Sequence, residues 1–268
     1  MTPWFQANNV MHHFGGLSAI SGFNLELRTG ELVGLIGPNG AGKTTVFNLI
    51  TGVYRAAEGS IRFQGRELVG LPPWVISGLG ISRTFQNIRI VKQLTVLDNE
   101  RIAYYQHARY SLAEALLHLG RYRREEQRLT QSTMEILRLL HLESYAGESA
   151  DSLPYGLQRR LEIARALATG ATLLLLDEPA AGMNPVEVGQ LMEFIGWIRR
   201  QFNLTILLIE HQMRLVTGIC ERVLVLDFGV TIAEGRPDEI QNNAQVLEAY
   251  LGQAEDGGGP TTDDGRQT

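Results

Sequence analysis

Residues 31–52 read ELVGLIGPNGAGKTTVFNLITG, and their reading decides the fold. Glu31–Ile36 is an apolar run of strand length that leads into a glycine. The next eight residues, Gly37-Pro38-Asn39-Gly40-Ala41-Gly42-Lys43-Thr44, follow the pattern G-x-x-x-x-G-K-T. Residues 44–52 then take up helical periodicity and stop at Gly52. Strand, glycine-rich loop and helix in that order form a polyphosphate grip. Glycines let consecutive backbone amides turn inward without Cβ clashes, and the helix presents its positive N-terminal end. Lys43 can reach the outer phosphates, and the Thr44 hydroxyl can ligate Mg²⁺. The chain holds only two lysines, Lys43 and Lys92, and one of them stands where such a loop needs it.

Outward from this loop the pattern is α/β. Residues 1–30 read as short strands with alternating apolar positions, and 58–69 as a further hairpin. From about 97 to 146 the spacing is helical, with Leu112, Ala115, Leu116 and Leu119 in one set and Met134, Leu137 and Leu140 in another. The basic stretch Arg121–Arg128 between them reads as a solvated face. Strands are expected at 173–176, 205–209 and 223–226, with helices near 186–201 and 212–219. That alternation predicts a mostly parallel sheet. Residues 253–268 carry almost nothing apolar and are expected to form a disordered tail.

Three further motifs sit where such a sheet would gather them. Leu173-Leu174-Leu175-Leu176-Asp177-Glu178 is a buried strand with two carboxylates at its C-terminal end, the end where open α/β sheets bind ligands. Asp177 suits a direct or outer-sphere role on Mg²⁺, and Glu178 suits orienting an attacking water; strands also end in acidic turns for no catalytic reason. His211 follows a second apolar strand and, by the same logic, can donate to a terminal phosphate. Gln86, in Arg83-Thr84-Phe85-Gln86-Asn87, sits just before the helical insertion and can touch the metal or the water, or be a surface glutamine.

Bulk properties narrow the class. The chain has 268 residues, 44% hydrophobic and 20% charged, as an ordinary globular protein does. A net charge of -5 argues against a nucleic-acid coat. The single cysteine, Cys220, excludes an internal disulfide and a Cys-rich metal site, and reads as a small core residue. No apolar stretch reaches the ~20 residues needed to span a bilayer. The first residues lack the layout of a secretory signal, so a cytoplasmic location is expected, with any membrane role exercised through a partner.

Taken in order, these pieces resemble the ATP-binding subunits of ABC transporters over roughly residues 5–252. The Walker A loop is then 37–44, the Q-loop glutamine Gln86, the Walker B strand 173–178, the D-loop 180–185 and the switch histidine His211. The family signature is Leu153-Pro154-Tyr155-Gly156-Leu157-Gln158, opening the helical run to Leu167. The resemblance implies a P-loop NTPase fold, with a RecA-like core, an N-terminal antiparallel β-subdomain and a helical subdomain inserted at about 87–165. It implies ATP and Mg²⁺, with nucleotide contacts from Gly37, Pro38, Asn39, Gly40, Ala41, Gly42, Lys43, Thr44 and Thr45, and Phe14 stacking on adenine. Thr44, Gln86 and Asp177 would hold the metal, while Glu178, His211 and Gln86 would serve catalysis. His12 and His13 read as surface residues without a role.

The same resemblance implies head-to-tail pairing with a second ATP-binding subunit, identical or not, whose ATP would meet this chain's signature. It implies transmembrane permease subunits, an indirect solute-binding protein, no nucleic acid, and a place at the cytoplasmic face of the membrane. Phrases such as RTFQNIRI, DEPAAGMNP and LEAYLG are most similar to subunits of branched-chain amino-acid importers. Subunits for urea-type import and lipopolysaccharide export share much of the pattern. A non-transport ABC ATPase usually carries coiled coils, paired cassettes or basic arms, and a P-loop kinase would not need the signature or His211. One departure stands out: Pro154 occupies the usual serine position of the signature and removes both a hydroxyl and an N–H. A weakened signature is expected.

Overall fold

The structure is a computed structural model that describes residues 4–107, 110–117 and 120–256. Its strands are β1 (Phe5–Phe14), β2 (Leu17–Leu27), β3 (Leu32–Ile36), β4 (Glu58–Phe63), β5 (Arg66–Glu67), β6 (Ile81–Arg83), β7 (Leu173–Asp177), β8 (Thr205–Ile209), β9 (Arg222–Asp227) and β10 (Val230–Gly235). The helices are α1 (Lys43–Ile50), α2 (Pro73–Gly78), α3 (Val96–Tyr104), α4 (Leu112–Leu116), α5 (Gly120–Leu139), α6 (Tyr155–Ala168), α7 (Pro185–Gln201), α8 (Met213–Ile219), α9 (Pro237–Gln241) and α10 (Ala244–Asp256).

Two sheets carry the fold. An antiparallel sheet runs in the order β2-β1-β4-β5, and a six-stranded sheet runs β10-β9-β3-β8-β7-β6. In the second sheet β9, β3, β8, β7 and β6 are parallel, and only β10 is antiparallel, paired to β9. The parallel strands are buried on both faces, which is why they read as unbroken apolar runs rather than alternating ones. In β7, Leu173 and Leu175 enter the core shared with the antiparallel sheet and α1, whereas Leu174 and Leu176 enter the core under α6 and α7. Gly34 of β3 has a packing reason too. A Cβ there would come within 3.1 Å of Cys220 Sγ, so the glycine makes room for the buried thiol.

The expected strands and helices of the sheet are present, each within a residue or two. Residues 4–30 form two long strands rather than several short ones. Between β6 and β7 the described chain is mainly helical, with α3 to α6 and connecting turns, and one isolated antiparallel bridge joins Thr95 to Ser149. The basic stretch lies on α5, where Arg121, Arg123, Arg124 and Arg128 are all exposed, as a solvated face requires. Leu119 lies outside the described residues. Helix α10 extends to Asp256, four residues into the stretch expected as a disordered tail, and 257–268 lie outside the described residues.

Candidate active site

Parallel strands point their C-terminal ends the same way, so the loops after β3, β8, β7 and β6 open on one edge of the sheet. Those loops and the residues flanking them carry Gly37–Thr44, His211, Asp177 and Glu178, and Gln86. Segments far apart in sequence are thereby brought to one crevice.

The phosphate loop depends on its glycines. Gly37 has φ +149, and a Cβ there would lie 2.0 Å from the Leu226 carbonyl oxygen. Gly42 has φ +104, and its Cβ would meet Ala19 O and Ile20 Cδ1 at 2.8 Å each. No side chain fits either position. Lys43 opens α1 and is buried, its Nζ donating to Gly37 O at 2.8 Å and Pro38 O at 2.7 Å. Burial pushes its pKa below the ordinary lysine value, and the carboxylates of Glu178 and Asp177 oppose that shift. The lysine thus sits within the field of the carboxylate pair. Thr44 is exposed beside it, and Thr45 is half-buried on the next position of α1.

Glu178 takes φ +44, a left-handed backbone that costs a non-glycine residue about 1–2 kcal/mol. Its N–H donates to Ile209 O at 2.9 Å, tying the end of β7 to the end of β8. Gln86 Nε2 donates to Glu178 Oε2 at 2.7 Å, and His211 Nδ1 lies 3.7 Å from the same oxygen. The two residues expected to serve alongside Glu178 therefore both face its carboxylate. Asp177 turns elsewhere: its Oδ2 accepts from Arg83 Nη2 at 2.5 Å.

Gln86 is held from the helical side. Arg159 of α6 is fully buried and donates to Phe85 O at 2.5 Å and Gln86 O at 2.6 Å. Glu162, one turn on, pairs with Arg159 and accepts the N–H groups of Phe85 at 3.2 Å and Arg89 at 3.3 Å. Motion of α6 would be felt directly at Gln86. The stretch Leu153–Gln158 lies at the N-terminus of this helix, with Pro154 as N-cap. Tyr155 Oη donates to Ala181 O at 3.0 Å, so the start of α6 leans on the turn after β7.

Phe14 ends β1 and is 46% exposed, open enough to accept a planar ring on its face. His12 differs from its expectation as a plain surface residue. Its ring stacks on Tyr54 at 5.2 Å, meets Phe14 edge-on at 4.6 Å, and directs Nδ1 at Arg55 O at 3.1 Å. Phe14 also meets Tyr54 edge-on at 5.2 Å, so it is braced by two rings. Sequence reading missed this bracing, along with Arg83, Arg159 and Glu210. Each has at least one partner 30 or more positions away, which local spacing does not signal.

The ABC transporter family profile matches residues 20–181, and a profile for branched-chain amino acid ATP-binding cassette transporters matches residues 230–256. The chain is 46% identical over 252 residues to the high-affinity branched-chain amino acid transport ATP-binding protein LivG of Salmonella typhimurium, covering 94% of this chain and 99% of that protein. It is 42% identical to BraF of Pseudomonas aeruginosa, described in the same words, over equal shares of the two chains. Among solved structures it resembles the ADP conformation of MJ1267, an ATP-binding cassette of an ABC transporter, with a TM-score of 0.80, 29% identity, and coverage of 94% of this chain and 100% of that one. The phosphate loop and the strand-end motifs lie on the fold those proteins share, and the chain belongs to the ABC transporter family as one of its ATPase cassettes.

Proposed function

We propose that this chain hydrolyses ATP to drive import of branched-chain or related amino acids through a membrane permease. The observation that carries the solute assignment is the match of residues 230–256 to the branched-chain amino-acid profile, on a chain that spans nearly all of LivG. Among the described residues no helix is long and apolar enough to cross a membrane. By its likeness to transporter ATP-binding subunits, the chain works at the cytoplasmic face, held there by permease subunits to which a solute-binding protein delivers the solute. A cleft of about 410 Å³ lined by Ile76, Phe85, Arg89, Ala103 and Arg165 offers the permease a seat against the Gln86 segment.

In this reading the amides of Gly37–Thr45 and the ammonium of Lys43 bind the phosphates, while Phe14 carries the adenine. Thr44, Gln86 and Asp177 offer hydroxyl, amide and carboxylate oxygens, a donor set suited to a hard divalent cation. When bound, Mg²⁺ neutralises charge developing on the transferred phosphoryl group. Glu178 orients and polarises the attacking water, with Gln86 donating to its carboxylate. His211 donates to the terminal phosphate. Leu153–Gln158 is offered to the ATP of a second ATP-binding subunit, paired head to tail.

The reading is tested by reconstituting the chain with its co-purifying membrane subunits in vesicles. ATP-dependent accumulation of leucine, isoleucine or valine is expected. Turnover coupled to urea alone, or to lipopolysaccharide release, would displace the solute assignment, and transport without hydrolysis would displace the energy-coupling role.

A further inference from the structure

Glu210 lies between the last residue of β8 and His211, and its side chain is fully buried. A carboxylate in that position has to find donors, and it finds them in the backbone. Its Oε1 accepts the N–H of Ala180 at 2.9 Å. Its Oε2 accepts the N–H of His211 at 3.0 Å and of Gln212 at 3.2 Å. Gln212 then reaches back, donating from Nε2 to Ala180 O at 3.1 Å. The Ala180 residue is thus gripped at its N–H by one side chain and at its carbonyl by the other.

The segments joined in this way are the two that carry Glu178 and His211. Glu178 starts the turn that Ala180 continues, and Ala181 N–H closes on Glu178 O at 3.2 Å. The left-handed backbone of Glu178 persists only where the surroundings fix it. The Glu178 N–H to Ile209 O bond fixes the near end of the turn, and Glu210 fixes the far end. The same carboxylate orders the backbone from which the His211 ring projects.

We propose that Glu210 is a positioning residue, a buried carboxylate latch that holds Glu178 and His211 in mutual register by fastening the turn after β7 to the turn after β8. The inference rests on the reading of Glu178 and His211 as hydrolytic residues. The latch needs the ionised, acceptor-only form: bonds to an ionised acceptor are the stronger ones, and both oxygens are used. An amide presents one oxygen and one NH₂, and the NH₂ would face an N–H donor. Glu210→Gln therefore breaks one arm while leaving size and shape unchanged.

The experiment measures steady-state ATP hydrolysis by the full chain assembled with its membrane subunits. Alongside it, binding of a fluorescent ATP analogue and the thermal unfolding midpoint of the full chain are followed. Glu210→Gln is expected to lower kcat by about tenfold or more with KM and analogue affinity within about twofold, since the phosphate loop is untouched. In a His211→Ala background the same substitution is expected to cost less than about threefold, because its effect passes through the register already lost. Gln212→Met, which removes only the outer strap, is expected to lower kcat by about threefold with KM unchanged, and it covers the case in which Glu210→Gln does not fold. A wild-type kcat in Glu210→Gln, or in Gln212→Met if Glu210→Gln does not fold, overturns the latch. So does an equal penalty in both backgrounds, or a loss of kcat matched by loss of affinity and unfolding midpoint. If instead Glu178→Gln and His211→Ala themselves hydrolyse ATP normally, it is the catalytic reading beneath the latch that has failed.

Discussion

Arg83 and Asp177 form an ion pair of 2.5 Å in which each side chain is only 6% exposed. The guanidinium also donates from Nη1 to Asn48 Oδ1 at 2.6 Å, and lies over the rings of Phe47 at 5.3 Å and Phe85 at 5.0 Å. One arginine thereby joins the helix after the phosphate loop, the strand leading to Gln86 and the strand ending in the carboxylate pair. Replacing it leaves a buried carboxylate facing lost donors, and truncating one partner of such a pair costs about 3–5 kcal/mol. Lys43 remains in the neighbourhood to offset part of that charge. Arg83→Met is therefore expected to destabilise the chain by about 3 kcal/mol, read from urea unfolding midpoints. Arg83→Lys should recover less than half, because an ammonium cannot fork between Asp177 and Asn48 or lie flat between two rings. Full recovery by lysine would mean that charge alone matters.

Glu178→Gln is expected to bind ATP with near wild-type affinity while hydrolysis slows by roughly 10²–10⁴-fold, the usual contribution of a positioned base. The substitution keeps the side chain's length, so Lys43 and the glycine loop stay as they are. Single-turnover hydrolysis and equilibrium binding separate the two effects. Normal turnover would remove Glu178 from the chemistry.

Glu100 of α3 makes stability depend on pH. It is fully buried and, among the described residues, neither carboxyl oxygen has a hydrogen-bond partner. Burial pushes its pKa up from 4.5 to about 8, against the pull of Arg165. The folded state therefore keeps a proton that the unfolded chain releases above the ordinary carboxylate range. Its contribution to stability is fully present below the unfolded pKa and drains away as pH rises through the folded one. Inside that window the slope is about 1.4 kcal/mol per pH unit. Urea midpoints taken across pH 6 to about 7.5 should fall with pH in the wild type and fall less in Glu100→Gln, which has no proton to lose. Parallel profiles would assign the slope to another group.

The parts of the molecule legible in the sequence are those governed by local rules. Leu173–Leu176 and Ile206–Ile209 are apolar without interruption because helices and a second sheet cover both faces of their strands. Gly37 and Gly42 are visible because the backbone there excludes a Cβ. The strand-end rule then gathers Gln86, Glu178 and His211 without any contact being known in advance. Strand β6 is only three residues long and carries no periodicity to read, and β10 is a half-exposed strand whose pattern is weak. Arg83 and Glu210 stayed hidden for another reason. One pairs across 94 positions of sequence and the other serves backbone amides, and neither leaves a trace in residue spacing.

Pro154, with Tyr155 and Leu157, is where this chain is read as departing from the usual signature, and the local structure at Pro154 says what a serine would add. Proline caps α6 with φ −52 and ψ 147, and its side chain gives the helix no hydrogen bond. Its carbonyl already accepts from Leu157 N–H at 2.9 Å and Gln158 N–H at 3.0 Å, so the helix starts correctly without a side-chain cap. A serine hydroxyl at an extended N-cap accepts one of the unpaired first-turn amides, which is worth about 1 kcal/mol. It also restores a hydroxyl and an N–H to the segment proposed above to meet the nucleotide of a second subunit. Pro154→Ser is therefore expected to raise the unfolding midpoint and, in the assembled transporter, to raise the ATPase rate. The two gains have separate origins, so the isolated chain should show the first without the second. An unchanged rate in the assembled transporter, with the midpoint raised, would mean that the signature of this chain is not limited by its proline.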